Sequence, residues 1–316
     1  MSRRSPASRK RKVTRRRRPN LARALSRNDD GIHGVLSSKN VKTCRLTGVT
    51  FRQKTVQYSQ VDDLALFEGD INLGIGSPDP NASLSRGLGA GLIFTKRKNR
   101  WPNNIIPYTL DEEEWSTFRA KTLALRNIRN AIKHWIRKTS VNFMEIPLQP
   151  EGKDARISKY PNYLHFKPAS GCWSHMGMIG GRQHIGLVPG TKAQFIIHEI
   201  GHTVGLWHEH SREDRDKYIK INYQNINNSH AHNFKQRVTD GDDVGEYDYK
   251  SIMHYGSYAF SENGRTTIDT TADATAEIGT ATLLSEGDIE AVEELISRRP
   301  RRRRPRATFG DRSRTE

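Results

Sequence analysis

The stretch "HEIGHTVGLWH", residues 198–208, limits what this chain can be more tightly than any other part of it. His198 and His202 are four apart, so on a helix both rings leave the same face, one turn from each other. Such a pair can hold one metal ion. Glu199 follows the first histidine and comes round close to the ion without ligating it, where it can act on a bound water as general base. Gly205 can take positive φ at little cost and end the helix. The chain can then turn back and bring His208 in from another direction. Three imidazoles with an open fourth position describe a catalytic zinc site, not a structural one. A histidine pair on a helix is often only surface or core. The longer pattern HExxHxxGxxH fixes five positions, and at ~1/20 each a chain of this length shows it by chance in about one of 10⁴ sequences.

A second stretch, "SIMHYG" at 251–256, supports the first. Met253 alone would read as a core methionine. After the histidine helix it reads as a methionine turn, and the two together are the metzincin signature. The match goes further. "HEIGHTVGLWHEHSREDRD", with Glu209 directly after the third histidine, and "SIMHYG", with Tyr255 two after the methionine, resemble the astacins. So do "RWPNNIIPYTL" at 100–110, "GCWSHMG" at 171–177 and "LSEGDIEAVEELI" at 284–296. The resemblance covers roughly residues 100–297, with five motifs in the family's order.

The resemblance implies an α+β, metzincin-like zinc peptidase domain with a mixed sheet, an active-site helix and a Met-turn, and a cleft between two subdomains. It implies one zinc per chain, held by His198, His202 and His208. Tyr255 would be a further, displaceable ligand that swings away to stabilise the oxyanion. Glu199 would be the base, Met253 the floor beneath the metal, and Glu209 the acceptor of a new N-terminus after maturation. Substrates would be proteins or peptides. "FEGD" at 67–70 resembles the propeptide motif whose aspartate blocks the zinc, and Asp70 has that position. Cys44 is the rival latency ligand, since a thiolate also binds zinc well. A cut in "KRKNR", 96–100, would release the block.

Charge divides the chain differently. Residues 1–30 hold twelve Lys or Arg against two Asp, and residues 298–316 hold nine Arg against Asp311 and Glu316; residues 31–297 carry thirty-one of each sign. The basicity therefore belongs to two tails, which are expected to be disordered and would attract polyanions such as nucleic acid, anionic lipid or acidic glycans. Between them the expected plan is a propeptide-like segment at 31–99 and a catalytic domain at 100–297. A rival function is polyanion binding on a peptidase-like scaffold. Against it stands the full set of three histidines, glutamate and tyrosine.

There are two cysteines, Cys44 and Cys172. Only Cys172 matches a disulfide position of animal astacins, which points to a microbial-type member standing on packing alone. No apolar run follows the basic start, so no signal peptide is readable although the family is usually secreted. "GLGAGLIF" at 87–94 is too short to span a membrane. Leu125, Ile128, Ile132 and Trp135 lie on one face at helical spacing. "VNFMEIP", "NYLHFKP" and "RQHIGLV" read as strands. Ser285 and Asp288 open the last helix as a capping box, and Ile289, Val292 and Ile296 dock it. Arg212 and Asp214 are expected to form a structural ion pair. Residues 31–99 show no sustained periodicity and read as an appendage.

Overall fold

A computed structural model describes residues 36, 38–46, 54–75, 100–110, 112–147, 159–236 and 243–297. Both basic tails, "GLGAGLIF" and the "KRKN" part of the basic loop lie outside the described residues. No helix among the described residues is long and apolar enough to cross a membrane.

The segment before the main domain forms an antiparallel sheet of four strands in sequence order: β1 (Val41–Leu46), β2 (Lys54–Val61), β3 (Leu64–Phe67) and β4 (Ile71–Ile75). It is more firmly built in than an appendage. Cys44, Val56, Tyr58, Phe67, Ile71 and Leu73 share one apolar core with Trp101, Ile128 and Trp135 of the following domain. This explains the missing alternation. Ala65, Leu66 and Phe67 are consecutive and all buried, because this end of the sheet is covered on both faces.

The main domain begins with β5 (Ile105–Leu110), which leads into α1 (Phe118–Lys138). Thr117 caps α1, its hydroxyl accepting from Ala120 N at 3.1 Å, and Arg137 and Lys138 suit the negative end of its dipole. Leu125, Ile128, Ile132 and Trp135 are buried as their spacing requires. Three strands follow: β6 (Asn142–Glu145), β7 (Tyr163–Pro168) and β8 (Arg182–Leu187). All pair in parallel, in the order β6-β5-β7-β8. An antiparallel bridge from Trp173 to Gly186 extends the edge and makes the sheet mixed. Gly186 permits this, since a Cβ there would lie 2.3 Å from the Trp173 indole nitrogen.

Next comes α2 (Ala193–Val204), which carries the histidine motif, and the Trp135 indole donates to Ile197 O at 3.2 Å to tie α1 to it. Below α2 the chain becomes irregular. A two-stranded ribbon, β9 (Ile219–Ile221) with β10 (Ile268–Thr270), packs a second core of Ile219, Ile226, Phe234, Tyr247, Tyr255 and Ile268. Last is α3 (Glu286–Ser297), whose capping box forms both ways: Asp288 N donates to Ser285 Oγ at 2.9 Å and Ser285 N to Asp288 Oδ2 at 3.0 Å. Val292 is buried, and Ile289 and Ile296 pack partly buried against the core. Arg212 and Asp214 pair through two bonds of 2.9 and 3.0 Å. Both cysteines are buried and unpaired.

Candidate metal centre

The second half of α2 and the loop behind it supply the three imidazoles. His198 and His202 leave α2 together, and Gly205, at φ +126°, ends the helix with its N–H on Gly201 O at 2.9 Å. The return brings His208 to within 4.7 Å of the His202 ring, centroid to centroid. Each imidazole is held from behind at Nδ1: His198 donates to Ile252 O at 2.8 Å and His202 to Leu206 O at 2.8 Å, while His208 meets Glu68 Oε2 at 2.9 Å. A carbonyl only accepts, so Nδ1 carries the proton in the first two rings and their Nε2 lone pairs face inward.

They face Asp70. Its Oδ2 is 3.2 Å from Nε2 of both His198 and His208, and its Oδ1 is 3.5 Å from Nε2 of His202. These four residues are buried, with ligand atoms all within 4.8 Å of one another. Burial alone would raise the Asp70 carboxyl, but His208 and His202 outweigh it and hold it well below the usual carboxylate range. Burial pushes His202 down to about 4, whereas Asp70 and Glu68 overcome burial at His208 and raise it to about 9. His202 Nε2 and Asp70 Oδ1 are left buried without a hydrogen bond. Acceptor lone pairs converging in a dry pocket repel one another unless a cation stands between them. Nitrogen and oxygen donors of this kind fit zinc.

Glu199 is buried beside this cluster, and its carboxyl is raised well above the usual range, first by burial and then by the Asp70 charge. Tyr255 lies with its ring 4.6 Å from that of His208 and stacked on His210 at 3.7 Å. Its hydroxyl donates to Glu68 O at 2.5 Å, so Asp70, not Tyr255, fills the fourth side of the cluster here. Met253 is buried under α2, where a Cβ on Gly201 would come within 2.6 Å of its sulfur. Glu209 lines a cavity of about 90 Å³ together with Asp243, Glu246, Asp248, Asp288 and Arg212. Burial first, opposed by Arg212, leaves its carboxyl raised to about 8. Cys44 sits in β1, in the apolar core and outside the ligand cluster.

Three contributors had not been singled out from the sequence. Glu68 grips His208 and Tyr255 from the segment before the domain. Ser174 pairs its backbone with that segment, donating to Asp70 O at 3.0 Å and accepting from Asn72 N at 2.8 Å. Gly201 admits Met253. Only Gly201 carried a signal, because glycine inside a helix costs about 1 kcal/mol against alanine and so marks a close approach. Gly201→Ala is expected to lose about 1–3 kcal/mol to overpacking against about 1 kcal/mol gained in helix propensity. Chemical denaturation of the variant checks this; a more stable variant would show that Met253 yields freely.

Known proteins are similar to this chain. The family model for Astacin, a peptidase family, matches residues 93–297. Blastula protease 10 of Paracentrotus lividus is 42% identical over 201 residues, 60% of this chain and 31% of that protein. Zinc metalloproteinase nas-6 of Caenorhabditis elegans is 38% identical over 239 residues, 73% of this chain and 62% of that protein. The chain thus spans less than two thirds of either relative. Among solved structures, High choriolytic enzyme 1, a hatching enzyme zinc-protease from Oryzias latipes, aligns with a TM-score of 0.51 at 28% identity, covering 62% of this chain and 92% of that one. With the family pattern matched across the α2 helix, the Met-turn and α3, the chain belongs to the astacin family.

Proposed function

We propose that this chain is a zinc-dependent endopeptidase, held latent by its own N-terminal segment until a cut within 96–100. The carrying observation is the convergence of His198, His202 and His208 through Nε2 on the Asp70 carboxylate. In this reading the three histidines hold one zinc and Asp70 occupies the position that water needs. Bound zinc supplies a more acidic water and a polarised scissile carbonyl.

The chain's own groups do the rest. Glu199 takes the proton of the attacking water and passes it to the leaving amine; a carboxyl raised by burial is suited to both transfers. Tyr255, released when Glu68 departs, turns its hydroxyl toward the tetrahedral oxyanion. The backbone edge at Ser174, which now pairs with Asp70 and Asn72, receives the extended substrate. Met253 packs beneath the ligand helix, and Glu209, in its acid-lined cavity, accepts the ammonium of the new N-terminus.

Metal analysis tests the core of this reading. The full chain is expected to carry one zinc, His202→Ala to lose it, and the cut chain to hydrolyse denatured protein until a chelator is added. A full chain that takes up no zinc overturns it.

A further inference from the structure

One of the three imidazoles, His198, is held from outside by a turn, and that turn is held by the last helix. We infer that Asp288 is a positioning residue for the metal centre, fixing the 251–253 turn so that the Ile252 carbonyl aims His198. The inference rests on the zinc reading above.

Asp288 is 4% exposed and makes more bonds than a helix cap needs. The cap itself is complete with its two bonds to Ser285. Two further contacts leave α3 altogether: Ser251 Oγ donates to Oδ1 at 2.6 Å, and Ile252 N donates to Oδ2 at 2.9 Å. Met253 N donates in turn to Ser251 Oγ at 3.0 Å, so the carboxylate supports three consecutive residues. Gly287 lets the helix come this near, since a Cβ there would lie 2.7 Å from Oδ2 of Asp248, whose carbonyl accepts from Ser251 N just before the turn.

Ile252 connects the two sides. Its N–H binds Asp288, and its carbonyl accepts from His198 Nδ1 at 2.8 Å. That carbonyl shares a planar peptide with Met253 N, which donates to Ser251 Oγ, and Ser251 Oγ donates to Asp288 Oδ1. Both peptide groups flanking the Ile252 Cα are therefore tied to the carboxylate, which sets the direction of the carbonyl. The same run of hydrogen bonds polarises the Ile252–Met253 peptide and makes its carbonyl a stronger acceptor. The result is a carboxylate–histidine pair relayed through the Ser251 hydroxyl and one peptide group. It fixes the ring's tautomer and raises the basicity of Nε2, as direct outer-shell carboxylates do for metal-bound histidines. On its other side the turn accepts Glu209 N at Met253 O, 3.1 Å, so the chain just past His208 is tied to the same anchor.

The test measures zinc affinity of the full chain against a chromophoric chelator, and thermal unfolding of the zinc-free protein. Asp288→Ala is expected to weaken zinc binding 10–100-fold. Asp288→Asn keeps an acceptor for Ile252 N, while its amide meets Ser251 Oγ only as a donor, with that bond reversed and the charge gone, and it is expected to recover part of that loss. Ser285→Ala removes the cap hydroxyl but not the link to the turn. It should lower the unfolding temperature while leaving zinc affinity within about 3-fold of wild type, well short of the loss typical of an outer-shell partner. Should Asp288→Ala fail to fold, Ser251→Ala carries the comparison, with affinity expected to fall several-fold. Unchanged affinity in the Asp288 and Ser251 variants, or an equal fall in Ser285→Ala, overturns the inference and leaves Asp288 as a helix cap. A wild-type chain that binds no zinc overturns the proposed function and this inference with it.

Discussion

Glu199→Ala in the cut chain is expected to lower kcat by about 10³-fold while one zinc stays bound. The size follows from the task. A positioned general base or acid contributes about 10²–10⁴-fold, and Glu199 would serve as both within one cycle. Zinc retention follows from the geometry, since the four converging ligand atoms belong to Asp70, His198, His202 and His208 and none to Glu199. Steady-state kinetics on a denatured protein, with metal analysis of the same sample, decides it. A kcat within tenfold of wild type would remove Glu199 from the mechanism. Loss of the metal would make it a structural residue of the site.

The second large effect concerns the uncut chain. Asp70→Ala is expected to raise its activity on a small peptide by about 10²-fold or more, because a tethered ligand competes at millimolar or higher effective concentration. The variant should still fall short of the cut enzyme. Its backbone would keep the two bonds to Ser174, and Glu68 would keep His208 and Tyr255. Cys44→Ala should leave the uncut chain silent. The thiol lies in the apolar core, and burial pushes it up to about 11, so no thiolate forms there at neutral pH. Activation by Cys44→Ala alone would transfer the switch to that residue. Equal activity of cut and uncut wild type would remove latency from the description.

How much of this the sequence could show depended on distance along the chain. The α2 histidines, the apolar stripe of α1 and the three strands β6 to β8 all rest on local periodicity, which a sequence displays directly. The capping box of α3 is equally local, and it formed between Ser285 and Asp288. The further bonds of Asp288 were not legible, because nothing in "SEGD" names Ser251 or Ile252 as partners. Glu68 was hidden for the same reason: its role needs the first segment laid in the cleft against residues far downstream. That segment misled in another way. Its strands β3 and β4 look unpatterned because that end of the sheet is buried on both sides, and only the packed structure shows what covers it.

The wiring of the site also sets an order of events as the chain is made. The carboxylate that closes the centre is 128 residues upstream of the first imidazole, whereas Asp288, which anchors the turn, is 36 residues downstream of Ile252. A ribosome working from the N-terminus releases the stopper first, the ligands next and the clamp last. At roughly 5–20 residues per second, seconds separate each from the next. A newborn chain therefore never presents three histidines without Asp70 already at hand. If Asp288 anchors the centre as inferred, its grip on a metal would mature only when α3 has emerged and docked. On the proposed latent reading, a cell making this protein would be shielded from its chemistry throughout synthesis by the order in which the parts appear.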